Sequence, residues 1–139
     1  METDTTARGR KKILIADDEP TIVASLEFLM ARSGYEVRVA RDGDEALELV
    51  EAFAPDLVLL DVMMPRRSGY DICRALRERP EWRGIKVVML SARGRAAEVA
   101  RGLSAGADAY VTKPFSNRDL VARVDDLLDE NAPDGGVPK

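Results

Sequence analysis

Two hydrophobic periods take turns along the chain. Short apolar runs, "KKILIA" at 11–16, "YEVRVA" at 35–40, "DLVLL" at 56–60, "IKVVML" at 85–90 and "DAYVT" at 108–112, are closed in turn by Asp17, Arg41, Asp61, Ser91 and Lys113. Aliphatic and β-branched runs of this length predict strands, and one as continuous as 57–60 predicts a strand buried on both faces. The stretches between them repeat apolar residues at helical spacing and predict helices over 20–33, 44–53, 70–79, 95–105 and 117–129; in the first, Ile22, Leu26, Leu29 and Met30 share a face. Pro20 suits the first turn of a helix, Gly34 the position just past one, and Ser116 an N-cap.

Strands alternating with helices of this length imply βαβ units and a parallel sheet covered on both faces. The expected fold is α/β: a doubly wound, five-stranded parallel sheet with five helices. The flavodoxin-like strand order 2-1-3-4-5 is taken from the general rule for such units. At 139 residues the chain fits one domain. The expected division is a flexible lead over 1–10, the folded domain over 11–130, and a linker or disordered tail over 131–139, where "NAPDGGVPK" is rich in Pro and Gly.

Charge narrows the function classes. Asp and Glu number 25 against 21 Lys and Arg, a formal charge of -4, so direct binding of nucleic acid by this chain is not expected. The basic cluster "RGRKK" at 8–12 reads as a solvated lead-in to the first strand. With no histidine and a single cysteine, Cys73, the usual zinc sites and an internal disulfide are both excluded. Any metal should be a hard ion held by oxygen. Cys73 falls at helical spacing with Ile72 and Leu76 and reads as a small buried hydrophobe. No apolar run has the length of a membrane span, and "METDTTARGR" lacks the apolar core of a signal peptide, so the expected location is cytoplasmic.

Topology then does chemical work, because ligands of a parallel sheet bind outside the carboxyl ends of its strands. Asp17 and Asp18 close the first strand, Asp61 the third, Ser91 the fourth and Lys113 the fifth. Three carboxylates at one edge repel one another, and a cation among them relieves the repulsion. Magnesium fits, since it takes one or two carboxylates, keeps waters and completes its shell with a phosphate oxygen. Beside it, Asp61 is placed to attack phosphorus and form an acyl phosphate. Lys113 and the Ser91 hydroxyl would steady the equatorial oxygens of the transferred group.

The motifs "ILIADDEP", "LVLLDVMMPRRSG", "VVMLSA" and "GADAYVTKPF", followed by a closing amphipathic helix, resemble the receiver domain of two-component response regulators over roughly 11–128. The resemblance implies that Asp61 accepts the phosphoryl group, and that Asp17 and Asp18 form the acidic pair. It implies magnesium held by Asp18, Asp61 and the Met63 backbone carbonyl. Ser91 is similar to the family's phosphate-sensing hydroxyl, Ala92 to the small residue that leaves the phosphoryl group room, and Lys113 to the family's lysine, with Lys113-Pro114 as its cis peptide. Tyr110 matches the aromatic that turns inward when Ser91 is drawn to the phosphate. Met63 and Arg93 flank the site and are expected to affect phosphate lifetime.

The implied role is a phosphorylatable module that takes its phosphoryl group from a histidine kinase or phosphotransfer protein and switches a face toward a downstream effector. It would catalyse only its own phosphorylation and dephosphorylation. One alternative is a receiver excised from a longer DNA-binding transcriptional regulator. A haloacid-dehalogenase-type phosphatase would need a second aspartate two residues after Asp61, where Met63 stands. A flavodoxin would need a Thr/Ser-rich phosphate loop where "ADDEP" places negative charge. The expected assembly is a monomer or a weak phosphorylation-dependent homodimer: Arg123 fits the salt-bridged pairing seen in DNA-binding members, and Ala109 departs from it.

Overall fold

A computed structural model describes residues 11–92 and 94–129. The lead over 1–10, the tail over 131–139 and Arg93 lie outside the described residues. The strands are β1 (Lys12–Ala16), β2 (Glu36–Ala40), β3 (Leu57–Asp61), β4 (Lys86–Ser91) and β5 (Ala109–Thr112). The helices are α1 (Pro20–Arg32), α2 (Gly43–Phe53), α3 (Gly69–Glu78), α4 (Ala96–Ser104) and α5 (Asn117–Leu128), with a 3-10 turn at Pro80–Trp82. All pairings are parallel and the sheet order is β2-β1-β3-β4-β5, as expected.

Successive strand residues point to opposite faces, and the core divides accordingly. Leu14, Val58, Leu60, Val87 and Met89 pack on the side of α2 and α3 with Ala46, Val50, Ile72, Cys73 and Leu76. Ile13, Ile15, Leu57, Leu59, Val88 and Leu90 pack on the other side with Leu26 and Met30 of α1 and Leu120 and Val124 of α5. Both faces of β3 are thus covered and all five of its residues are buried, whereas edge strand β2 is only partly so. Cys73 is fully buried, and burial pushes its thiol up to about 11.

Caps set the helix starts. Ser116 accepts from the Asp119 amide at 3.2 Å, Pro20 opens α1, and Gly34, at φ +99°, follows its end. Two helices begin one residue before their expected starts. Asp42 accepts from the Glu45 amide at 2.8 Å while the Glu45 carboxylate accepts from the Arg41 amide at 2.8 Å, a reciprocal cap that starts α2 at Gly43. Ser68 likewise accepts from the Asp71 amide and starts α3 at Gly69. Trp82 ends the 3-10 turn that follows α3.

Candidate functional site at the carboxyl edge of the sheet

The register brings the strand-closing residues to one edge. Asp17 follows Ala16, which pairs with Leu60; Asp61 pairs with Leu90; and Ser91 pairs with Thr112, the residue before Lys113. Asp17 is wholly buried, and its amide donates to the Ala40 carbonyl while Oδ1 accepts from the Glu19 amide at 3.0 Å and Oδ2 accepts from Lys113 Nζ at 3.3 Å. Lys113 Nζ also lies 3.6 Å from Asp61 Oδ1, so one ammonium stands between two carboxylates. Its backbone amide donates to the Ser91 carbonyl at 2.7 Å, which fixes the lysine to the end of β4. The Lys113-Pro114 peptide is cis, as the resemblance implied.

Asp61 is 7% exposed and accepts from the Met63 amide at 3.3 Å. One carboxylate oxygen from each of Asp17, Asp18 and Asp61 lies within 4.8 Å of the others. Burial, then the neighbouring charge of Asp17, pushes the Asp61 carboxyl from 3.8 up to about 6; Asp18 adds to the rise, against Lys113 and the Met63 amide. The net direction shows that desolvation and like charge outweigh the single nearby cation. This is an edge short of positive charge, which suits oxygen-seeking cations.

Ser91 is buried at the same edge, and Ala92 beside it is exposed. The Met63 side chain is 55% exposed. Tyr110 stands apart from the acidic cluster: it is half-buried against the core on the α2 and α3 side. A Cβ added at Gly102 of α4 would come 2.7 Å from the Tyr110 ring and 2.9 Å from Met89 Sδ, so the ring lies directly against the α4 backbone.

Two residues that support this edge were not singled out from the sequence. Gly69 packs so closely that an added Cβ would meet the Asp61 carbonyl oxygen at 2.6 Å and Val62 Cα at 2.9 Å, and its amide donates to the Val62 carbonyl at 2.9 Å. Tyr70 is 4% exposed, yet its hydroxyl donates to Glu98 Oε1 of α4 at 3.0 Å. In the sequence Tyr70 looks like one more core residue of α3. The available signal was that a buried tyrosine hydroxyl needs a partner.

The response regulator receiver domain family model matches residues 13–125. Solved structures agree in fold over most of the chain. The signal receiver domain of a signal transduction histidine kinase from Syntrophus aciditrophicus is 34% identical, with a TM-score of 0.80, covering 89% of this chain and 96% of that one. The BeF3-activated receiver domain of DrrB, from Thermotoga maritima, is 36% identical, with a TM-score of 0.78 and coverage of 86% and 98%. A chemotaxis protein of Vibrio cholerae is 28% identical, with a TM-score of 0.81 and coverage of 86% and 100%.

Proposed function

This chain belongs to the response regulator receiver domain family, and from that premise we propose that it is a phosphorylatable module of a two-component system, receiving a phosphoryl group on Asp61 from a histidine kinase or phosphotransfer protein. The observation that carries this reading is the Lys113 ammonium, 3.3 Å from Asp17 Oδ2 and 3.6 Å from Asp61 Oδ1 at a crowded acidic edge. In the reaction an Asp61 carboxylate oxygen bonds to phosphorus as the bond from phosphorus to the donor's leaving atom breaks. Lys113 offsets negative charge on the transferred group, and Ser91 donates a hydrogen bond to one of its oxygens. The chemistry is confined to the chain's own phosphorylation and dephosphorylation, in the cytoplasm.

The donor set fits magnesium: three carboxylates converge there, and the chain has no imidazole to favour a softer ion. Asp18, Asp61 and the Met63 carbonyl would hold it, with Asp17 beside them. When bound, it neutralises charge on the carboxylates and on the incoming phosphoryl group. Asp18→Ala should weaken magnesium binding by an order of magnitude or more, about ten-fold at least, whereas Glu19→Ala should change it little. Calorimetric titration compares the two. Similar affinities would place the metal elsewhere.

Phosphorylation itself is tested by intact mass after incubation with acetyl phosphate and magnesium. Wild type should gain one phosphoryl group and Asp61→Asn none; equal incorporation in both would sink the assignment. The output face is proposed around Arg95, Tyr110 and Arg118. Support comes from the half-buried Tyr110 ring resting on α4, and from a 36% identical relative solved in a BeF3-activated form.

A further inference from the structure

Tyr70 sits at the start of α3, next to the glycine whose backbone rests on Asp61 and Val62. From there it reaches α4 at two points. Its hydroxyl donates to Glu98 Oε1 at 3.0 Å, and the Arg101 guanidinium carbon lies 4.1 Å from its ring centroid. Glu98 and Arg101 are one turn apart and so share a face of α4. The next residue, Gly102, packs against the Tyr110 ring. One buried side chain, rooted at the Asp61 edge, therefore holds the helix on which the aromatic of the proposed output face packs.

We propose that Tyr70 is a positioning residue that couples the Asp61 edge to α4 through its hydrogen bond to Glu98, and through α4 to the Tyr110 ring packed on Gly102. This inference rests on phosphorylation of Asp61 and names the route by which it is felt. A hydroxyl has one proton to give, and here it goes to Glu98 of α4, against which the Tyr110 ring packs. When the junction of β3 and α3 shifts, the helix and the ring must rearrange together. Burial, followed by the hydrogen bond to Glu98, pushes the Tyr70 hydroxyl up to about 12, so it remains a donor at neutral pH. Without that hydroxyl, Arg101 can still stack on the ring, but α4 loses its hydrogen bond to the start of α3. The helix, with the Tyr110 ring packed on it, would then respond independently of the Asp61 edge.

Backbone amide NMR of the full chain, before and after adding beryllofluoride with magnesium, tests this in wild type, Tyr70→Phe and Glu98→Gln. Tyr70→Phe should keep the wild-type shift changes at 61–63 and still take one phosphoryl group from acetyl phosphate. Its changes at 98–104 and 109–112 should fall by about two-fold or more. Glu98→Gln keeps an oxygen that accepts from Tyr70 and should retain them. A full response at α4 and β5 in Tyr70→Phe would overturn the coupling. So would a loss at 61–63 in that variant, because it would mark general loosening of the site. No response at 61–63 in wild type would instead bring down the phosphorylation reading and the coupling together.

Discussion

Asp61→Asn is expected to make the metal-free protein more stable at pH 8, by about 2 kcal/mol. The wild-type carboxyl is pushed from 3.8 up to about 6, which corresponds to at most roughly 3 kcal/mol of unfavourable folding energy for the ionised group. Part of that remains in the variant, because a buried amide still carries a desolvation cost of its own. A carboxyl raised on folding holds its proton in the folded chain at pH values where the unfolded chain has released it. Wild-type stability should therefore decline as pH rises from about 4 to about 6, with the whole cost in place above that window. At pH 4.5 the gap between variant and wild type should shrink to about 1 kcal/mol or less. Urea denaturation in the presence of a chelator, at both pH values, measures it. A variant no more stable than wild type at pH 8 would show that Asp61 is not under this strain. Adding magnesium at pH 8 should narrow the gap, since a ligand that binds only the folded chain stabilises it. Below pH 6 the proton competes for the same oxygen, and magnesium should narrow it less.

Gly69→Ala should cost about 3 kcal/mol. Its Cβ would meet the Asp61 carbonyl oxygen at 2.6 Å and Val62 Cα at 2.9 Å. Both are backbone atoms of β3 and the turn after it, so no side-chain rotation relieves the contact. The start of α3 must move away from the sheet instead, and Tyr70 moves with it. The hydrogen bond from the Gly69 amide to the Val62 carbonyl stretches in the same movement. Gly84→Ala is the control, because nothing lies within 4 Å of its added Cβ; it should fall within about 0.5 kcal/mol of wild type. Equal denaturation midpoints for the two variants would mean that the junction of β3 and α3 yields easily. The phosphorylation rate of Gly69→Ala should fall as well, because the displaced helix start packs directly on the Asp61 backbone.

The sheet was legible because its burial is extreme. Residues 57–60 are uninterrupted aliphatics, and all are fully buried between two helical layers. Parallel topology then required Asp17, Asp61, Ser91 and Lys113 to meet at one edge, whatever their separation in the chain. Cap residues were legible where a hydroxyl or carboxylate precedes the helix, as at Ser116. The starts of α2 and α3 were read one residue late, where a glycine at the first helical position follows the caps Asp42 and Ser68 and hides the start.

What periodicity could not supply is how side chains from different elements meet. The apolar pattern determined the strands, their order by general rule, and the identity of the residues at the edge, because burial selects residue type directly. Only the tertiary structure decided that Lys113 stands between Asp17 and Asp61, that desolvation outweighs that cation at Asp61, and that Tyr70 reaches Glu98 rather than merely filling the core. Each of these depends on distances of a few ångströms between residues far apart in sequence. Such distances are set by strand register, by the close approach that Gly69 permits, and by the direction of each side chain, none of which a one-dimensional pattern encodes.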